Sequence, residues 1–264
     1  MSRESANRSA IDGGRHVLVT GALGDIGGAV VIALARRGHH VTATDLADEQ
    51  VGKSALDAAA GSDSDVRARL GYRRMDVTDR ASVQAVVASV PDLDTVIANA
   101  GMVVSAPFLQ ITPEQWGAHL DVNLTGAFTT AQVTAQRLVA EGRPGLLLFT
   151  GSWVADVPWP EITAYVATKA ALKMVARQAA RELAPHGIRA NVVAPGIVRA
   201  GLAKVQLEHE PQYAARAARV VPLGELQTVE QVADAFCYLC SPGADYMTGS
   251  TLLIDGGASL FAFD

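Results

Sequence analysis

An apolar run at residues 16–20 breaks directly into Gly21-Ala22-Leu23-Gly24-Asp25-Ile26-Gly27-Gly28, and a helical pattern follows at once. Glycines at such a junction let the backbone turn sharply and come close to a bound group. The free amides and the dipole of the helix start then favour negative charge there. A strand, a glycine turn and a helix in that order predict a cradle for the diphosphate of a dinucleotide. The next strand pattern ends in Thr44-Asp45-Leu46, which places a carboxylate 24 residues after Gly21. An acidic side chain at that place accepts the hydroxyls of an adenosine ribose and repels a 2′-phosphate. No Arg or Lys stands within the glycine turn to offset that repulsion, so the pattern favours NAD over NADP.

The same alternation continues along the chain. Strand patterns fall at 16–20, 40–45, 71–75, 95–99, 146–150, 189–194 and 251–255, with helical patterns at 26–37, 48–60, 79–89, 113–141, 163–184 and 228–240. Continuous apolar runs such as Leu146-Leu147-Leu148-Phe149 suit strands buried on both faces. The expectation is an α/β chain with one doubly wound, seven-stranded, mostly parallel sheet and helices on both faces. Residues 196–227 form a proline-punctuated stretch too long for an ordinary connection, and the pattern predicts an irregular, lid-like segment over the substrate. Residues 1–14 are polar and small, and are expected to be a loose tail ahead of a single domain at 15–264.

Composition narrows the function classes. No apolar run reaches the roughly 20 residues of a membrane-spanning helix, and the start lacks the apolar stretch of a secretory signal, so a cytoplasmic protein with no membrane partner is expected. A net charge of -5 without a basic run argues against nucleic acid as a partner. Cys237 and Cys240 have C-x-x-C spacing, but they sit in an apolar helical pattern and are expected to be buried small hydrophobes. The six histidines show no metal-ligand spacing, and no metal site is expected.

The chemistry is carried by Ser152 and by Tyr165-Val166-Ala167-Thr168-Lys169. Tyr165 and Lys169 are four apart on a helix and share a face. A nearby ammonium favours the charged phenolate, so the expected effect on Tyr165 is a lowered pKa and general acid–base work near neutral pH. Ser152 lies 13 residues before Tyr165, at the end of a strand, and is placed to hold the reacting oxygen.

With these residues come Asp76-Val77, Asn99-Ala100-Gly101, Asp121-Val122-Asn123, Pro195-Gly196 and Asp255-Gly256-Gly257, in that order. The chain after its tail resembles the classical short-chain dehydrogenase/reductase family. The resemblance implies a Rossmann fold, reversible hydride transfer between NAD and a carbinol carbon, and a homotetramer. It implies catalytic Asn123, Ser152, Tyr165 and Lys169, with Asn123 holding a water in a relay to Lys169. The cofactor would meet Gly21, Gly24, Asp25, Ile26, Gly27, Asp45 and Leu46, with Asp76 and Val77 beside the adenine. Asn99, Ala100 and Gly101 would line the cleft, Lys169 would bind the nicotinamide ribose, and Pro195, Gly196 and Val198 would frame the nicotinamide near Tyr165.

Two positions depart from the family pattern. Its middle turn glycine is Asp25 here, expected to point away from the phosphates and cap its own helix. Its Thr four residues after Gly196 is Ala200, which removes a side-chain contact to the carboxamide. For the substrate, Ser152, Trp153, Trp159 and Tyr165 are the candidates. The tryptophans suit stacking on a sugar ring or packing a hydrocarbon, and Trp159 suits a core or subunit contact equally well. The run Val157-Pro158-Trp159-Pro160 is similar to that of aldose 1-dehydrogenases, which tilts the reading toward a sugar, polyol or cyclic secondary alcohol. The rival substrate is a hydrophobic alcohol or ketone, in keeping with Val103, Val104, Trp153 and Val154. A non-catalytic NAD-binding sensor or scaffold is the alternative of another class, and retention of all four catalytic residues argues against it.

Overall fold

The computed structural model describes residues 14–260, so the expected tail lies outside the described residues apart from Gly14. The elements run β1 (His16–Thr20), α1 (Asp25–Arg36), β2 (His40–Asp45), α2 (Glu49–Ala60), α3 (Ser64–Ala68), β3 (Leu70–Arg74), α4 (Arg80–Ser89) and β4 (Thr95–Ala98). They continue with α5 (Pro113–His119), a π-helical stretch Leu120–Gly126, α6 (Ala127–Ala140), β5 (Gly145–Thr150), α7 (Thr163–Leu183) and β6 (Ile188–Pro195). Then come α8 (Gly201–His209), α9 (Pro211–Val220), α10 (Val229–Cys240) and β7 (Thr251–Ile254).

The seven strands form one sheet in the order β3-β2-β1-β4-β5-β6-β7, and every pairing is parallel. The expectation of a mostly parallel sheet is thus exceeded. Both faces are covered, which is why the strands read as unbroken apolar runs. Val17, Val19, Leu146 and Leu148 point into one layer, with α1, α2 and α10. Leu18, Leu147 and Phe149, one residue out of step, point into the other, with α4, α6 and α7. Chain direction across the sheet reverses between β1 and β4, and in open sheets of this kind a crevice opens beyond the strand ends at that point.

Two expectations need correction. Residues 196–227 are not irregular: they hold α8 and α9, which pack Ala203, Leu207, Tyr213, Ala217 and Val220 against Trp153 and Trp159. The helix expected over 113–141 is interrupted by Leu120–Gly126, where the wider π turn inserts an extra residue per loop. The Cys237–Cys240 pair is buried on α10 as expected, and burial pushes the two thiols up to about 11 and about 12. Among the described residues no helix is long and apolar enough to cross a membrane, and no cluster of metal-ligating side chains occurs.

Candidate active site

A cleft of about 1040 Å³ opens at the C-terminal ends of β1, β4, β5 and β6. Its floor begins at the glycine turn. Gly21 takes a positive φ of 62°, and a Cβ on Gly27 would lie 2.1 Å from the Gly21 carbonyl oxygen, so strand and helix meet closer than any side chain allows. Gly24 is the N-cap residue of α1 and brings no side chain to the first amides, leaving them directed at the cleft. Ile26 lines the cleft beside Gly24.

Asp45 ends β2. Its carboxylate accepts from the Leu23 amide at 3.0 Å and the Leu46 amide at 2.8 Å, which fixes it against the glycine turn. Arg74 lies in register with Asp45 on β3 and donates to the Leu46 carbonyl at 3.1 Å. A guanidinium therefore does stand at this strand end, where it also pairs with Asp48 at 3.8 Å. It comes from the neighbouring strand, where a reading limited to the glycine turn could not find it. Asp76 and Val77 form the next part of the wall, and two hydrogen bonds from Thr78 lower the pKa of Asp76.

Asn99 clamps three strand ends. Its amide nitrogen donates to the carbonyls of Thr20 and Gly21, and its oxygen accepts from the Thr150 hydroxyl at 3.0 Å. Ala100 and Gly101 follow along the cleft, and a Cβ on Gly101 would come within 3.8 Å of Lys169 Nζ and 3.4 Å of Asn123 Oδ1. Asn123 is the one candidate behind the wall. It is fully buried on the π-helical stretch, accepts from the Met102 amide and donates to the Met102 carbonyl and to Thr168 Oγ1. Its side chain thus binds residue 102 to α7.

Tyr165 and Lys169 project from α7, whose buried face continues through Leu172, Ala176 and Ala180. Lys169 Nζ donates to the Thr150 carbonyl at 2.7 Å and lies 5.2 Å from the Tyr165 ring centroid. Burial draws the ammonium down to about 8. The expected lowering of Tyr165 is not found. Burial pushes its phenol up to about 12, and the hydrogen bond with Ser152 pulls only weakly the other way. The same dry surroundings that would make a lysine charge felt also weaken its hold on the proton. Ser152 sits two residues past β5 and opens a 3₁₀ turn, where its hydroxyl accepts from the Val154 amide.

Pro195 ends β6, and Gly196 and Val198 follow on the same wall. Trp153 and Trp159 meet edge to face with centroids 5.2 Å apart, and Tyr213 of α9 meets Trp159 at 6.0 Å. Both tryptophans line the cleft while packing against α8 and α9, so cleft wall and core are one surface here. Ile162, Ala203, Gln206 and Tyr213 also line it and were not found from sequence; the last three belong to the two unforeseen helices. Asp25 does not cap its own helix. Its carboxylate accepts from the Gly201 amide, at 2.9 Å, at the start of α8.

A family model described as enoyl-(acyl carrier protein) reductase matches residues 21–259. D-erythrulose reductase of Gallus gallus is 32% identical over 246 residues, covering 92% of this chain and 95% of the relative. 3beta-hydroxysteroid dehydrogenase 1 of Eggerthella lenta is 31% identical over 251 residues, covering 94% and 95%. The structure of a gluconate 5-dehydrogenase from Burkholderia cenocepacia, in complex with NADP and tartrate, superposes with a TM-score of 0.85 at 28% identity, covering 94% of this chain and 96% of that one. The chain belongs to the classical short-chain dehydrogenase/reductases, oxidoreductases of CH–OH groups that use a nicotinamide cofactor.

Proposed function

We propose that this chain interconverts a secondary alcohol of a sugar or polyol and its carbonyl, with NAD as cofactor and Tyr165 as general acid–base. The observation that carries the reading is the convergence of Tyr165, Lys169 and Ser152 in the cleft that begins at the glycine turn. The cleft fits a dinucleotide, because Gly21 and Gly27 leave a backbone cradle that a Cβ would fill. Bound there, a nicotinamide cofactor supplies the hydride acceptor or donor. The chain's own residues do the rest. Ser152 orients the substrate oxygen, Tyr165 Oη moves its proton, and Lys169 supplies positive charge beside the ring while anchored to Thr150. Asp45 favours NAD through its fixed carboxylate; the neighbouring Arg74, and a relative solved with NADP, make a direct comparison of the two cofactors part of the test.

Relatives named for D-erythrulose reduction, L-xylulose reduction and rhamnose 1-dehydrogenation support the sugar reading. The second reading, a hydrophobic alcohol, is supported by Val154, Trp159 and Ile162 in the cleft wall and by the steroid dehydrogenase relative. A homotetramer is part of the same proposal, and exposed Phe128 on α6 and Met174 on α7 supply apolar surface for it. The deciding assay is a panel of ketoses, polyols and lipophilic alcohols with NAD and with NADP, followed at the nicotinamide absorbance. Tyr165→Phe should lower kcat by about 10²–10⁴ with folding intact. Near-normal turnover by that variant refutes the assignment of Tyr165, and a preference for NADP refutes that of Asp45.

A further inference from the structure

The two departures from the family pattern meet in space. Helix α8 starts at Gly201 with Ala200 as its N-cap residue, and Ala200 has no side-chain oxygen to accept a helix amide. The Gly201 N–H, the first amide of the helix, is received by Asp25 Oδ2 at 2.9 Å, from a residue 176 positions earlier. Asp25 is free to do this because its own helix α1 takes no side-chain cap. A carboxylate at a helix start both accepts the orphan amide and suits the dipole. Asp25 thus brings a side-chain acceptor to a helix start whose own N-cap residue brings none.

We propose that Asp25 is a positioning residue for the lid. From across the cleft it accepts the first amide of α8, at a helix start where Ala200 offers no side-chain acceptor. Helix α8 carries Ala203 and Gln206 into the cleft wall, and Gln206 is 9% exposed. The seat of this wall thereby depends on the glycine turn. Tyr165, Lys169 and Ser152 are held separately, by α7 and the end of β5. Asp25 thus links the two ends of the cleft without touching the proton-transfer group.

The test is amide hydrogen exchange on the full chain without cofactor, in wild type, Asp25→Ala, Asp25→Asn and the double variant Asp25→Ala with Ala200→Thr. Removal of the cap should speed exchange in the first turn of α8 by about five-fold. Asp25→Asn, which keeps an acceptor oxygen, should stay close to wild type. The added Thr hydroxyl in the double variant should restore protection from within the helix. In turnover, Asp25→Ala should raise the substrate KM by a larger factor than it lowers kcat, and the double variant should recover it. Unchanged exchange in Asp25→Ala overturns the proposal. So does Asp25→Asn exchanging as fast as Asp25→Ala, or a double variant that stays unprotected.

Discussion

Tyr165 and Lys169 stand together in the cleft wall, the lysine buried and the tyrosine partly so, and burial disfavours the charged form of each. The phenol is held protonated up to about 12, and the ammonium gives up its proton from about 8. In the free chain, Tyr165 thus keeps its proton across the neutral range, as the proposed donor to a carbonyl requires. Acting as a base toward an alcohol, it gains from alkaline pH. Lys169 also leaves a mark on stability. Between pH 8 and 10.5 the unfolded lysine keeps its proton while the folded one has lost it, so stability rises with pH in that window. Wild type should gain on the order of 3 kcal/mol relative to Lys169→Met across that window. Urea unfolding of both proteins at pH 8 and pH 10 checks this; a pH-independent difference between them would sink it. Tyr165 and Lys169 do lie together on α7, as their spacing predicts, but proximity of charge is not the dominant effect on either. Desolvation depends on what folds over the pair, and spacing along one helix does not reveal that.

At the scale of elements, the glycine turn and the lid differ in how openly the sequence declares them. A Cβ at Gly27 would meet the Gly21 carbonyl oxygen at 2.1 Å and Ala22 Cα at 2.9 Å, backbone atoms that cannot step aside. Gly27→Ala should cost about 1–3 kcal/mol and abolish nucleotide binding, read by thermal unfolding and NADH fluorescence. A Cβ at Gly24 meets only the Gly21 oxygen at 3.5 Å, so Gly24→Ala should unfold close to wild type and serves as the control. Such tight junctions must be written as glycine, and strands covered on two faces must be written as apolar runs, so both were legible. Helices α8 and α9 were less so. The apolar side of α8 is weakly marked, but α9 is strongly amphipathic, with Tyr213, Ala217 and Val220 on one side; that signal is legible in the sequence and is obscured by Pro211 and Pro222, which mark the stretch as irregular. The π-helical turn at Leu120–Gly126 changes hydrogen-bond register without changing residue types, and it too left no signal. The partner of Asp25 lay 176 positions away, beyond any local pattern.

For the whole molecule, the strand order decides where everything meets. With β1 and β4 adjacent, the glycine turn, the Asn99 clamp, Ser152 and α7 converge on one rim, although they are scattered over most of the chain. A ligand that binds only this assembled rim stabilises the entire fold by mass action. NAD at about 100 times its Kd should therefore add about 2.7 kcal/mol to global stability. Thermal unfolding with NAD and with NADP at equal concentration ranks the two cofactors without any turnover. A larger shift with NADP would reverse the assignment of Asp45. The base of the lid shows the same economy of connection. Gln227 forms a parallel bridge with Val198, its amide donates to the Ile197 carbonyl at 3.0 Å, and its side chain accepts from the Gly196 amide at 3.0 Å. The segment leaves β6 and closes on its own start through one fastened neck before the chain enters α10. A segment closed in this way is a buttoned cover rather than a free flap: its two helices share a core with Trp153, Trp159 and Tyr165, so a change in its lining is felt directly at the cleft wall.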